Sequence, residues 1–154
     1  MRARLLCVGK PRNRHADALF ADYAERINKL GLPFSTASVA EVKSGGRYSD
    51  AHVQEREAAN LSDALDKGER LIALDPNGRP LKSEELAQRL ESWVRPSVAF
   101  VIGGPLGLHS ELLKRADERW SLGAGTLPHE LARVVVAEQI YRACTIQRGL
   151  PYHK

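Results

Sequence analysis

SVAFVIGGPLG, residues 97–107, decides the fold: Ser97–Ile102 is an unbroken apolar run of strand length that passes directly into a glycine-rich loop. A strand buried on both faces reads this way, because helices cover each side of a parallel sheet and no position along it meets water. The pattern recurs. ARLLCVG (3–9) and RLIALD (70–75) are further short apolar runs, Phe34–Val42 alternates loosely as another strand, and a short strand is expected near Trp120–Leu122.

Helical stretches lie between these runs. Asp17–Leu30 spaces Leu19, Phe20, Tyr23, Ile27 and Leu30 at intervals that share one helix face, and Gly31 supplies the stop. A second helix is expected from Ala51 to Leu65, closed by Gly68, after the polar loop KSGGRYSD (43–50). PNGRP (76–80) reads as a turn cluster in which Gly78 can take positive φ, and Ser83 as the cap of a helix running through Trp93. Ser110–Ala116 and a long segment from Pro128 to Gly149 complete the helices. Pro128 suits a first helical turn, where its missing N–H has no intrahelical partner in any case.

About five β-α alternations with right-handed crossovers predict one α/β domain over residues 1–154: a mostly parallel sheet with helices on both faces. The last helix is apolar on two arcs, Leu131, Val134, Val135 and Tyr141 on one and Val136, Ile140 and Cys144 on the other. It is therefore either buried within one subunit or met by a second.

A chain of 154 residues, 43% hydrophobic and 27% charged, can bury a core without disulfides or a structural metal. Cys7 and Cys144 sit far apart in apolar patterns and read as buried thiols. No run approaches the ~20 apolar residues of a membrane span, and the N-terminal apolar run is too short for a signal peptide, so a cytoplasmic protein with no membrane partner is expected. The formal charge of +4 favours a polyanionic partner. His15, His52, His109, His129 and His153 are scattered without carboxylates at ligand spacing, so no metal site is expected.

In open parallel sheets ligands bind beyond the C-terminal ends of the strands, which directs attention to the loops after Asp75, Ile102 and Leu122. Two of these are Gly103-Gly104-Pro105-Leu106-Gly107 and Gly123-Ala124-Gly125-Thr126-Leu127. Missing side chains let a ligand approach backbone N–H and C=O groups, which suits an adenosine moiety and a cationic cofactor; the same glycines also serve as plain strand-to-helix turns. No G-x-x-x-x-G-K-[ST] loop exists, and Gly9 is not followed by G-x-G-x-x-G, so ATP and NAD enzymes drop in rank. Near the end, Glu138 and Arg142 are spaced as an i,i+4 ion pair, and PYHK (151–154) groups an aromatic ring, an imidazole and a cation on what is otherwise an ordinary chain terminus.

IGGPLG (102–107), SLGAGTLPHELARVVVAEQIYRA (121–143) and the terminal PYHK together resemble the SPOUT-class methyltransferases that methylate ring nitrogen 3 of a pseudouridine in large-subunit ribosomal RNA. LLCVGK (5–10) and LDPNGRPLKSEELA (74–87) extend the likeness over the whole chain. The resemblance implies a C-terminal trefoil knot, the SPOUT-type α/β knot. It also implies a homodimer, S-adenosyl-L-methionine as cofactor, and ribosomal RNA within the ribosome as partner. Carried over position by position, it places cofactor contacts on Leu74, Gly103, Leu122, Gly123, Ala124, Gly125, Thr126 and Leu127.

Two positions depart from the family: Leu106, where an acidic residue is common, and Gly123-Ala124-Gly125, where serine and a larger apolar residue are more usual. For the chemistry, His129, Glu138 and His153 are candidate proton acceptors. Arg142 and Lys154 are candidates to stabilise an anion, and Tyr152 to stack on a base. Lys10, Arg12, Arg14 and Arg148 are candidate RNA contacts. A ribosome-binding protein without catalysis and a small-molecule enzyme with an adenosine-containing cofactor are the contrasting readings; neither accounts for the terminal motifs.

Overall fold

The computed structural model describes residues 1–43 and 45–154, so the expected polar loop 43–50 falls, at Ser44, outside the described residues. Strands and helices alternate strictly: β1 (Ala3–Val8), α1 (Arg14–Lys29), β2 (Phe34–Val39), α2 (Asp50–Asp63), β3 (Arg70–Pro80), α3 (Ser83–Trp93), β4 (Val98–Ile102), α4 (Ser110–Arg115), β5 (Glu118–Ser121) and α5 (His129–Gln147). The strands form a sheet of order β2-β1-β4-β3-β5 in which each neighbouring pair is parallel.

The continuous apolar runs are explained by position. β4 lies at the centre, and all five of its residues are buried. Its alternate residues serve two cores. Val98, Phe100 and Ile102 meet side chains of α1, α3 and α5, including Phe20, Ile27, Leu86, Leu90, Val136 and Ile140. Ala99 and Val101 join Leu6, Val8 and Leu71 against Ala58 and Leu61 of α2 and Leu112 of α4. Phe100 stands edge-on to both Trp93 and Trp120, with ring centroids 5.9 Å away in each case. Burying a side chain of this size contributes about 1.5–3 kcal/mol, so the sheet centre dominates the cohesion of the fold.

Element ends differ from the sequence expectations for identifiable reasons. α1 begins at Arg14, ahead of Asp17, because the Asn13 side chain accepts hydrogen bonds from the N–H groups of His15 and Ala16. β2 stops at Val39 rather than Val42, since β1 gives it no further partner beyond the Val8–Val39 pair. Ser83 is the first helical residue, not the cap; the cap position is Lys82, whose N–H donates to Glu85 Oε2 at 3.1 Å. Pro128 likewise stands at the cap, one place before the first turn of α5.

The largest correction concerns Gly78. Its φ is not positive, and the segment is not a simple turn ending the strand. β3 makes an excursion after Leu74 and returns, so that Leu74 and Arg79 both pair with Trp120, and Pro80 pairs with Ser121. Glycine is required there by a close approach: a Cβ at Gly78 would stand 2.7 Å from both C and O of Arg119. Gly78→Ala is therefore expected to lower stability by about 1–3 kcal/mol through overpacking against a backbone that has little room to yield. A urea denaturation midpoint equal to that of the unmodified chain would contradict this.

Candidate active site

The strand order brings sequence-distant loops together. β4, β3 and β5 are adjacent, so the segments leaving them open at one edge of the sheet. They enclose a cleft of about 790 Å³ with three walls: Leu74–Asn77 after β3, Ile102–Leu108 after β4, and Leu122, Gly123 and Gly125–Pro128 after β5. The N-terminus of α5, with His129 and Ala132, closes one end.

Of the positions implicated for a cofactor, Leu74, Gly103, Leu122, Gly123, Gly125, Thr126 and Leu127 line this cleft, while Ala124 is not among its lining residues. Asp75, Asn77, Ile102 and Trp120 also line it, although the motifs did not single them out. The one available signal was that RLIALD ends in an acid at a strand C-terminus. Asp75 is 8% exposed, its Oδ1 accepts from the Asn77 N–H at 3.0 Å, and its Oδ2 lies 3.6 Å from Arg119.

The glycines divide into two roles. Gly103 permits a close backbone approach, since a Cβ there would stand 2.8 Å from the carbonyl carbon of Gly107. At Gly107, Gly123 and Gly125 a Cβ would meet no atom within 4 Å. Those three cleft-lining positions open on free space, and Gly107 and Gly123 also hold positive φ, 77° and 129°, which favours glycine there. Ser121 fixes the second loop: its hydroxyl accepts from the Gly123 N–H at 3.1 Å and lies within reach of the carbonyls of Pro76 and Gly123.

His129 is the only member of the proposed catalytic group in the cleft. Glu138, Arg142, Tyr152 and His153 form a separate cluster along α5, nine residues from His129, or roughly 13 Å at the helical rise. Glu138 Oε1 accepts from Arg142 Nη2 at 2.5 Å and from the Tyr152 hydroxyl at 3.0 Å, and Arg142 lies over the Tyr152 ring, 4.8 Å from its centroid. Burial, reinforced by Tyr23 and Glu138 beside it, raises the Tyr152 phenol above its ordinary pKa. The tail is thus docked rather than frayed.

His153 is held from both sides. Nδ1 lies 3.3 Å from Arg142 Nη1, and Nε2 lies 3.1 Å from Glu84 Oε1. A guanidinium only donates, so Nδ1 must be the acceptor and Nε2 the N–H that donates to Glu84. Glu84 is a contact the sequence did not signal, because it sits 69 residues away on α3.

The proposed basic segment is also anchored. Glu130 Oε1 accepts from the backbone N–H groups of Arg12 and Asn13 at 2.6 and 2.8 Å, which holds its carboxyl below the usual range. Lys10, Arg12 and Arg14 are thereby kept near the start of α5, with Arg12 3.6 Å from Glu41. Arg148 lies instead at the far end of α5, beside Gly31. Cys7 and Cys144 are free and buried, and burial pushes both thiols up to about 11. Among the described residues, no helix is long and apolar enough to cross a membrane, and no three His, Cys, Asp or Glu residues stand together as metal ligands would.

The fold as a whole is shared with solved structures of other proteins. The protein of Haemophilus influenzae solved as a probable methylase family protein has a TM-score of 0.56 at 16% identity, over 99% of this chain and 70% of that one. A probable methyltransferase from Bordetella pertussis gives 0.55 at 17%, over 93% and 96%. At that identity the likeness is one of fold.

The family model described as "Predicted SPOUT methyltransferase" matches residues 1–153, and the chain belongs to that methyltransferase family. Among similar proteins, Ribosomal RNA large subunit methyltransferase H of Stenotrophomonas maltophilia is 41% identical, covering 100% of this chain and 99% of that protein. Its namesake in Thioalkalivibrio sulfidiphilus is 37% identical over the same shares.

The tail cluster yields a direct expectation. Glu138→Ala removes the carboxylate shared by Arg142 and Tyr152, and should cost about 1–3 kcal/mol because both partners lose their hydrogen bonds in partly buried positions. Amide exchange over residues 150–154 should accelerate in the folded variant. Unchanged exchange would mean that the tail is held by other contacts.

Proposed function

We propose that this chain, acting as one domain over residues 1–154, transfers a methyl group from S-adenosylmethionine to ring nitrogen 3 of a pseudouridine in large-subunit ribosomal RNA on the ribosome. The observation that carries this reading is the open glycine cradle at Gly107, Gly123 and Gly125, in a chain whose relatives over its whole length are large-subunit ribosomal RNA methyltransferases.

The cleft fits such a donor. Leu74, Ile102, Leu106, Leu122 and Leu127 offer apolar walls for an adenine, and the backbone of 103–107 and 122–127 offers hydrogen-bonding groups unscreened by side chains. Among the described residues Asp75 alone brings a carboxylate to the lining; held by the Asn77 N–H and close to Arg119, it contributes negative charge to the wall rather than a free ligand group. When bound, S-adenosylmethionine supplies a methyl group already activated on a sulfonium. The residues around it then need chiefly to align acceptor and donor and to exclude water.

The imide nitrogen of pseudouridine carries a proton that must leave as the new bond forms. His129 is the titratable base positioned in the cleft, and we assign it that role. Glu138 already serves Arg142 and Tyr152, and both ring nitrogens of His153 are engaged. Their part is to present Arg142, Tyr152 and Lys154 to the RNA, with Tyr152 available for base stacking and the cations for phosphate. Lys10, Arg12 and Arg14 would extend the phosphate contacts from the start of α1.

Within one subunit the docked tail and His129 are separated along α5, so the reading includes a homodimer in which one subunit's tail approaches the other's cleft. The uncovered apolar side chains support it: Leu131 is 49% exposed, and Leu127 and Leu150 are exposed beside it in sequence or at the tail, while Val136, Ile140 and Cys144 are taken into the core. The family's trefoil knot belongs to the same proposal. Its support is the course of α5, which leaves edge strand β5 and returns across the sheet to pack on α1 and α3.

Labelled methyl transfer from S-adenosylmethionine to ribosomes of a strain lacking the gene tests the reading, with 50S and 70S particles assayed separately. Label in large-subunit RNA is expected, and the particle that accepts more shows when the enzyme acts. Absence of label in both, with the cofactor bound, would exclude the ribosomal substrate. His129→Ala should lower turnover about 100-fold or more, in the range of a lost general base, and His153→Ala much less. The reverse ranking would move the proton acceptor to the tail.

A further inference from the structure

Behind the cleft wall lies a carboxyl group that the chemistry above does not use. Glu57, on the face of α2 turned toward the sheet, is 3% exposed. Its Oε2 accepts from the Val42 N–H at 3.1 Å, whereas Oε1 is buried with no hydrogen-bond partner among the described residues. Burial raises its pKa, and the neighbouring Glu41 adds to the effect. Leaving such an oxygen unpaired costs free energy that a leucine at this position would not incur. Anchoring Val42 accounts for one oxygen only.

The other oxygen faces the GGPLG loop. A Cβ on Gly104 would stand 3.0 Å from Glu57 Oε1 and 3.4 Å from Oε2, so the carboxyl fills the space on that side of the glycine where a side chain would otherwise stand. One turn earlier on the same helix, Gln54 Nε2 donates to the Leu106 carbonyl at 2.5 Å. Residues 103–107 form a thin layer: one side lines the cleft, and the other rests on Glu57 and Gln54. A loop with three glycines has little intrinsic preference for one conformation, so its shape must be imposed from behind.

We infer that Glu57, with Gln54, is a positioning residue that holds the 103–107 loop in the conformation that receives the cofactor. This rests on the reading of the cleft as the S-adenosylmethionine site. Because the carboxyl occupies the space beside Gly104 that a Cβ would need, a smaller side chain at position 57 leaves a gap directly behind the loop, and loss of Gln54 releases Leu106.

Three variants test this: Glu57→Ala, Glu57→Gln, which keeps the shape and an acceptor for Val42, and Gln54→Ala, which leaves the buried carboxyl in place. Hydrogen exchange of residues 103–107 in the ligand-free chain should accelerate in Glu57→Ala and Gln54→Ala and stay near the original rate in Glu57→Gln. Calorimetric binding of S-adenosylmethionine should weaken by about tenfold in Glu57→Ala, with KM for ribosomes changed less than about twofold and Glu57→Gln largely restored.

If the folded Glu57→Ala and Gln54→Ala chains keep the loop's exchange and cofactor affinity, the inference is overturned. If Glu57→Ala does not fold, Gln54→Ala decides alone. Faster loop exchange in a chain whose unmodified form binds no S-adenosylmethionine would uphold the positioning role and overturn the cofactor reading, so the two fail separately.

Discussion

Pairing of β4 between β1 and β3 is the constraint on which the rest of the structure depends. The strand is five residues long and buried on both faces, so it holds its place only while helices cover it on each side and hydrogen-bonded partners flank it along each edge. Once it is fixed, the excursion after Leu74, the GGPLG loop and the segment from Leu122 to Pro128 must all emerge at the same sheet edge. Functional geometry at that edge follows from hydrophobic burial of the strands that lead into it.

α5 connects this edge to the tail. Its first residue lines the cleft, its middle presents Glu138 and Arg142, and the chain beyond its end folds back so that Tyr152 reaches Glu138. A mostly buried helix makes a rigid ruler, because Val136, Ala137, Ile140 and Ala143 are fully enclosed and leave it little freedom to shift. Distances between the cleft and the tail cluster are therefore properties of the helix. A site that draws on both needs either a large substrate or a second subunit.

Much of this was legible in the sequence, for physical reasons that can be named. Fully buried strands announce themselves as unbroken apolar runs, and the glycines at 103, 107, 123 and 125 mark the loops that line the cleft. Long-range contacts were not legible. Nothing local to Glu84 points to His153, nothing in RLIALD and PNGRP shows that the chain leaves the sheet after Leu74 and rejoins it at Arg79, and the turn chemistry that allows Gly78 a positive φ says nothing of the close approach of Arg119 that requires a glycine. Glu57 was hidden as well, since an acid in a helix ordinarily faces water and only the tertiary packing buries it.

The most direct test of the account is a calorimetric titration of S-adenosylmethionine into the unmodified chain and into Gly125→Val. Position 125 lines the cleft, has open space where a side chain would stand and no left-handed φ, so the variant should fold normally while adding bulk at the cleft wall. Saturable binding to the unmodified chain, weakened by about tenfold or more in the variant, is the predicted result. Equal affinity in the two would place the methyl donor outside the glycine-walled cleft and contradict the account.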